Sequence, residues 1–193
     1  ERQRDLNEDF GGFVETVSRV QNDQLLAKAL SEAPTVLGFK FLDEAIEPGD
    51  ISVAPKPLAG VIIRNERGNE LPWSEPKAVL SSLDLLAQAA AQEAFVNAVT
   101  DRDGIVRRVP LLQNFQGNYY PSLALATVLQ ATGAGQLRFD LLSQESSLSF
   151  NGSQVSLDRR GNLLLGFANT AAYRYVSAAD LLQGKLADHS LAG

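Results

Sequence analysis

The stretch Asp101-Arg102-Asp103-Gly104-Ile105-Val106-Arg107-Arg108-Val109-Pro110-Leu111, followed by Tyr120-Pro121-Ser122-Leu123-Ala124-Leu125-Ala126, decides how this chain is read. Asp101 to Gly104 has the composition of a tight turn, because aspartate side chains accept from nearby backbone N–H groups and glycine tolerates positive φ. Glu93 to Val99 before it alternates like a strand, and Ile105 to Phe115 after it is rich in β-formers. The pattern predicts an antiparallel hairpin with Arg107 and Arg108 on opposite faces of the returning strand. Gln116-Gly117-Asn118 reads as a second turn. Pro121 stands at the first position of a helix that continues through Leu123, Ala126, Thr127 and Gln130 and stops at Gly133.

Upstream, Asn22 or Asp23 is read as the cap of a helix whose Leu25, Leu26, Ala29 and Leu30 form one apolar stripe, ended by Pro34. Thr35 to Leu42 reads as a strand. Residues 43–77 hold five prolines around the short apolar run Gly60 to Ile63 and are expected to be an irregular insertion or loop. Ser81 and Asp84 form a capping-box variant for a helix over Leu83 to Ala91. Downstream, Leu148 and Phe150 face Val155 and Leu157 across Asn151-Gly152, a strong hairpin signal that also accounts for the glycosylation-like Asn151-Gly152-Ser153. Asp158 to Asn162 is a further turn, Tyr173 to Val176 a last strand, and Ser177 with Asp180 caps a short helix stopping at Gly184. Mixed helices and hairpins give an α+β class with a mixed or antiparallel sheet, in one domain over residues 1–193.

Composition narrows the chemistry. The 193 residues carry 17 basic and 23 acidic side chains, a net charge of −6, with no Cys, no Met and one His. Without thiols there is no disulfide framework, thiolate zinc site, iron–sulfur cluster or cysteine nucleophile. The acidic excess lies in residues 1–100 and the remainder is near neutral, so neither half offers the basic surface that nucleic acid requires. No run approaches the ~20 apolar residues of a membrane span, and no signal peptide is evident. Starting at Glu1 and lacking Met, the chain reads as a piece of a longer one, trimmed at both ends.

No active site emerges. Asp101-Arg102-Asp103-Gly104 begins like a calcium loop, but Ile105, Val106, Val109 and Pro110 occupy positions that should bring oxygen ligands. His189 lies near the end with no order around it to support a triad, and Gly133-Ala134-Gly135 lacks the third glycine of a dinucleotide fingerprint. Asp43, Glu44, Glu47 and Asp50 cluster, but nothing apolar nearby would separate two carboxyl pKa values. Trp73, Tyr119 and Tyr120 have faces that can stack on a ligand, although core packing is expected of at least one of them. No cofactor or metal is expected.

The quoted residues resemble the second type of CHASE domain, an extracytoplasmic sensory module, in its Asp-x-Asp-Gly-x-x-Arg stretch, apolar strand and Pro-Ser-Leu-Ala helix start. Asp23, Leu26, Ala29 and Leu30 are similar to the family's early helix. Gly161, Phe167, Tyr175-Val176-Ser177, Asp180 and Gly184 are similar to its late strand and capped helix. Residues 44–80 match none of these motifs, and the family's early strand with its helix and its closing Val-Gly strand are expected to lie outside the chain or to be missing.

The resemblance implies a domain outside the cytoplasmic membrane of a bacterial receptor, anchored by helices beyond this chain and coupled to a cytoplasmic cyclase, diguanylate cyclase or protein kinase. It implies no catalysis in the domain itself, a small-molecule or protein stimulus, and scope for a homodimer. Within it, Asp101, Asp103, Arg107, Arg108 and Tyr120 are the candidate ligand-binding residues, with a fold-holding role as their simpler alternative. The competing readings are a secreted or periplasmic binding module and an enzyme using the acidic loop.

Overall fold

Burial alternates along Val36–Leu42, with Phe39 and Phe41 buried on either side of an exposed Lys40, and this period of two sets one face of the strand against a core. A computed structural model describes residues 21–45, 55–66, 68, 73, 75–142, 145–167 and 175–185. The first elements are α1 (residues 21–31), β1 (Val36–Leu42), β2 (Val61–Asn65), β3 (Ala78–Leu80), α2 (Asp84–Ala89) and β4 (Gln92–Phe95). They are followed by β5 (Arg108–Pro110), β6 (Leu112–Phe115), β7 (Asn118–Pro121), α3 (Leu123–Thr132) and β8 (Leu137–Leu141). The last are β9 (Ser146–Phe150), β10 (Ser153–Leu157), β11 (Asn162–Leu164) and α4 (Ala178–Leu182). The class is mixed α+β, mostly sheet with some helices.

Strand β1 is central in a three-stranded sheet, antiparallel to β3 and parallel to β4. Phe39 and Phe41 pack with Val79, Phe95, Phe115 and Tyr120, and the Phe41 ring meets Tyr120 at 5.7 Å in an edge-on arrangement. Beyond the end of β4, Asn97 continues the ladder with its side chain: its Oδ1 accepts from Phe41 N–H at 2.8 Å and its Nδ2 donates to Phe41 C=O at 2.9 Å. A four-stranded sheet in the order β10-β9-β8-β2 carries the second core, where Leu137, Phe139, Leu141 and Leu148 are buried with Leu111, Leu112, Leu125 and Leu129.

Helix α3 serves both cores, sending Leu125 and Leu129 to the second while lying along β1 and β4 of the first. Its ends are well defined: Ser122 Oγ accepts from Leu125 N–H at 3.3 Å, and Gly133 closes it at φ 62°. The hairpin at Asn151-Gly152 forms in the expected register, with Leu148 opposite Val155, and Asn151 Nδ2 donates to Thr132 C=O at 3.0 Å. The smaller hairpin β6–β7 turns at Gln116-Gly117.

Several expectations give way to longer-range pairing. The 93–115 hairpin survives as a turn and a single bridge, Val99 to Arg108, because β4 pairs with β1, β5 with β11 and β6 with β7. Residues 61–65 of the Pro-rich segment are a regular strand, paired in parallel with β8. Asn22 and Asp23 lie inside α1 rather than capping it, and of its residues Ala27 is buried while Leu25 and Leu26 stay exposed. Leu83, not Ser81, is the N-cap of α2 and makes no side-chain cap bond. Pro121 ends strand β7 and leaves Ser122 to start α3. Tyr175 and Val176 are not in a strand, whereas Ser177 caps α4 as expected and Tyr173 lies outside the described residues.

Candidate functional site

Asp101 to Ile105 closes as a turn with Gly104 at φ 81°, the positive value the sequence demanded. Asp101 N–H donates to Ile105 C=O and Gly104 N–H to Asp101 C=O, both at 2.9 Å. Asp103 Oδ1 accepts from Ile105 N–H at 3.2 Å, which settles the carboxylate over the turn.

The two following arginines divide their contacts. Arg107 Nη1 lies 2.8 Å from Asp103 Oδ2 and 3.3 Å from Asp101 Oδ2. The Arg107 guanidinium, with the Ile105 N–H, holds the Asp103 carboxyl below the usual carboxylate range, and Asp103 and Asp101 in turn raise the pKa of Arg107. Arg108 Nη1 lies 2.9 Å from Asp101 Oδ1, and its Nε faces Asp158 Oδ2 at 3.7 Å. Asp101, Asp103, Arg107 and Arg108 therefore form one charged cluster, as partly exposed charge-assisted pairs.

Asp158 brings in a second turn of the same construction. Asp158 N–H donates to Asn162 C=O and Gly161 N–H to Asp158 C=O, both at 2.9 Å, with Gly161 at φ 76°. Asp158 Oδ1 accepts from Arg160 N–H at 2.8 Å and from Asn162 N–H at 2.9 Å. Strands β5 and β11 hold the turns side by side, with Arg108 opposite Leu164, and Leu165 N–H extends the pairing to Arg107 C=O. Gly161 also makes room for its neighbours: a Cβ there would lie 3.1 Å from Phe139 Cζ and 3.2 Å from Trp73 Nε1.

Between the turns opens a cleft of about 720 Å³ lined by Asp101, Arg102, Arg108, Asp158, Arg159 and Arg160, with Trp73, Gln113 and Asn162 on its walls. Sequence reasoning treated Asp158-Arg159-Arg160-Gly161 as a turn alone and missed its place beside the first. The signal was the repeated Asp-Arg-x-Gly, at 101–104 and again at 158–161.

Tyr120 does not join this group. It is 2% exposed in the aromatic core, where burial and the nearby Glu93 charge raise its pKa. Trp73 and Tyr119 also pack on the core, Trp73 edge-on to both Phe139 and Tyr119. Asp43 and Glu44 are exposed, while Glu47, Asp50 and His189 lie outside the described residues. A smaller recess of about 380 Å³ between Lys56, α2 and the start of β4 includes Glu93, whose carboxyl pKa is raised by burial and by Asp84 against the Lys56 backbone. Among the described residues no group of acidic or histidine side chains has the arrangement of a metal site, and no helix is long and apolar enough to cross a membrane.

No curated protein and no solved structure matches the chain. The family model described as CHASE2 domain matches residues 2–192, running through the segment 44–80 as well as through the turn motif and the start of α3. The chain thus belongs to the CHASE2 family of extracytoplasmic, non-catalytic sensory domains.

Proposed function

We propose that this domain is the extracytoplasmic input of a membrane-bound bacterial receptor, where it couples a stimulus to a cytoplasmic cyclase or kinase. The observation that carries the reading is the family match over residues 2–192. The twin turns add a physical basis for response, because one guanidinium, that of Arg108, links two carboxylates on separate loops. A stimulus that prefers one arrangement of those loops shifts the population of domain states, and with it the helices that join the domain to its output. The shift cannot exceed the differential affinity, and moving a balance from 1:99 to 99:1 takes about 10⁴-fold preference.

Two measurements on the full-length protein test this. Alkaline phosphatase fused within the domain is expected to be active, marking an extracytoplasmic site; activity of a cytoplasmic reporter there would sink the placement. Arg108→Gln is expected to change basal cyclase or kinase output at equal membrane abundance. Recovery of the intact protein in the soluble periplasmic fraction would favour a free binding module instead.

A further inference from the structure

The cleft between the two Asp-Arg-x-Gly turns has a charge balance opposite to that of the chain. Its lining holds four arginines against two aspartates, in a molecule of net charge −6. The aspartates are already engaged: both Asp101 oxygens face Arg107 and Arg108, and Asp158 accepts from two backbone N–H groups and faces Arg108. Arg102 and Arg160, by contrast, make no ion pair among the described residues, and each sits on a turn whose backbone is fixed by its own hydrogen bonds. Trp73 also lines the cleft, but its Nε1 is buried beside Gly161, away from the open space, with no acceptor among the described residues. An oxyanion would supply the partner that Arg102 and Arg160 lack, because guanidinium forks are donors only. A volume of about 720 Å³ is within the range of pockets for small ligands.

We infer that this cleft is the binding site for a small organic anion carrying a carboxylate or phosphate group, with Arg102 and Arg160 as its charge partners. The anion is the ligand class of the sensory domain proposed above, and the inference rests on that reading only for the meaning of binding.

Calorimetric titration of the 193-residue chain with citrate, glycerol 3-phosphate and orthophosphate, at ionic strength held constant with chloride, tests the site. Saturable binding of at least one probe is expected, weakened about tenfold or more in the double variant Arg102→Gln/Arg160→Gln with its melting temperature unchanged. Absence of saturable heat from all three probes, or equal affinity in the variant, overturns the assignment. So does retention on phosphatidylglycerol vesicles without binding of any free probe, which would make the cleft a lipid contact. Placed in the full-length protein, the same variant separates this inference from the sensory reading. Probe binding with no effect of the variant on output would keep the site and overturn the sensory reading. Output that responds to a stimulus while no probe binds would do the reverse.

Discussion

Gly104 and Gly161 hold equivalent positions in the two turns, at φ 81° and 76°, but their surroundings separate them. Among the described residues nothing lies within 4 Å of a Cβ at Gly104, so Gly104→Val carries only the backbone strain of positive φ, about 1–2 kcal/mol. Gly161→Ala adds close contacts with Phe139 and Trp73 and is expected to cost about 2–3 kcal/mol. Chemical denaturation of both variants checks the order, and an unchanged midpoint for Gly104→Val would remove the turn assignment. Glu93 presents a different residue-scale effect. Its side chain is buried, its Oε1 has no partner among the described residues, and burial raises its pKa despite the Lys56 N–H, so the ionised form is disfavoured in the folded chain. The sign follows: this stabilising contribution is full below the unfolded carboxyl pKa and is lost as pH rises through the folded one. Glu93→Gln is expected to raise stability at neutral pH by about 1 kcal/mol and to flatten its decline from acid to neutral pH. A variant less stable than the parent at pH 7 would show that the Lys56 N–H bond to the carboxylate outweighs its burial. Asp103 works in the opposite sense, with a contribution present above its unfolded pKa and lost only as pH falls through its depressed folded value.

Elements depend on two devices more than on propensity. Ser122 begins α3 with a hydroxyl-to-backbone bond, and Ser122→Ala is expected to cost about 1 kcal/mol, read from the denaturation midpoint. Asn97 prolongs the ladder beside β1, and Asn97→Ala leaves the Phe41 N–H and C=O without its side chain, at about 1–3 kcal/mol. If that variant melts like the parent, water replaces the amide at no cost and the ladder ends at Phe95. The elements legible in the sequence are those decided locally. The Asn151-Gly152 hairpin, the α3 stop at Gly133 and the Ser177 cap each rest on residues within one turn of their partner. Pairings at long range were not legible, since nothing in Gln92–Phe95 says that its neighbour is Val36–Leu42 rather than the strand beyond the next turn. The same limit divided the candidate site: Asp101, Asp103, Arg107 and Arg108 were readable as one stretch, whereas Asp158 joins them only through the β5–β11 pair. Tyr120 misled because an aromatic next to Pro121 looks alike whether it faces a ligand or Phe41.

At the scale of the whole molecule, α3 lies against both cores while the β5–β11 ribbon carries the charged turns. Arg108 reaches both turns, so Arg108→Gln is expected to loosen them together. Hydrogen exchange reads this directly: the Gly104 and Gly161 amides should both lose protection in the variant. Faster exchange at Gly104 alone would mean that the turns are mechanically independent. The β5–β11 pairing also has a consequence for biogenesis. A chain synthesised or exported from its N-terminus presents Arg108–Pro110 roughly fifty residues before Asn162–Leu164 has emerged. Through that interval the motif strand lacks its mate and Arg108 lacks Asp158, while Asp101 and Asp103 are already at hand, so the segment is among the last to complete its native pairing, and a nascent chain interrupted ahead of Asn162 exposes an unpaired strand edge to chaperones and proteases.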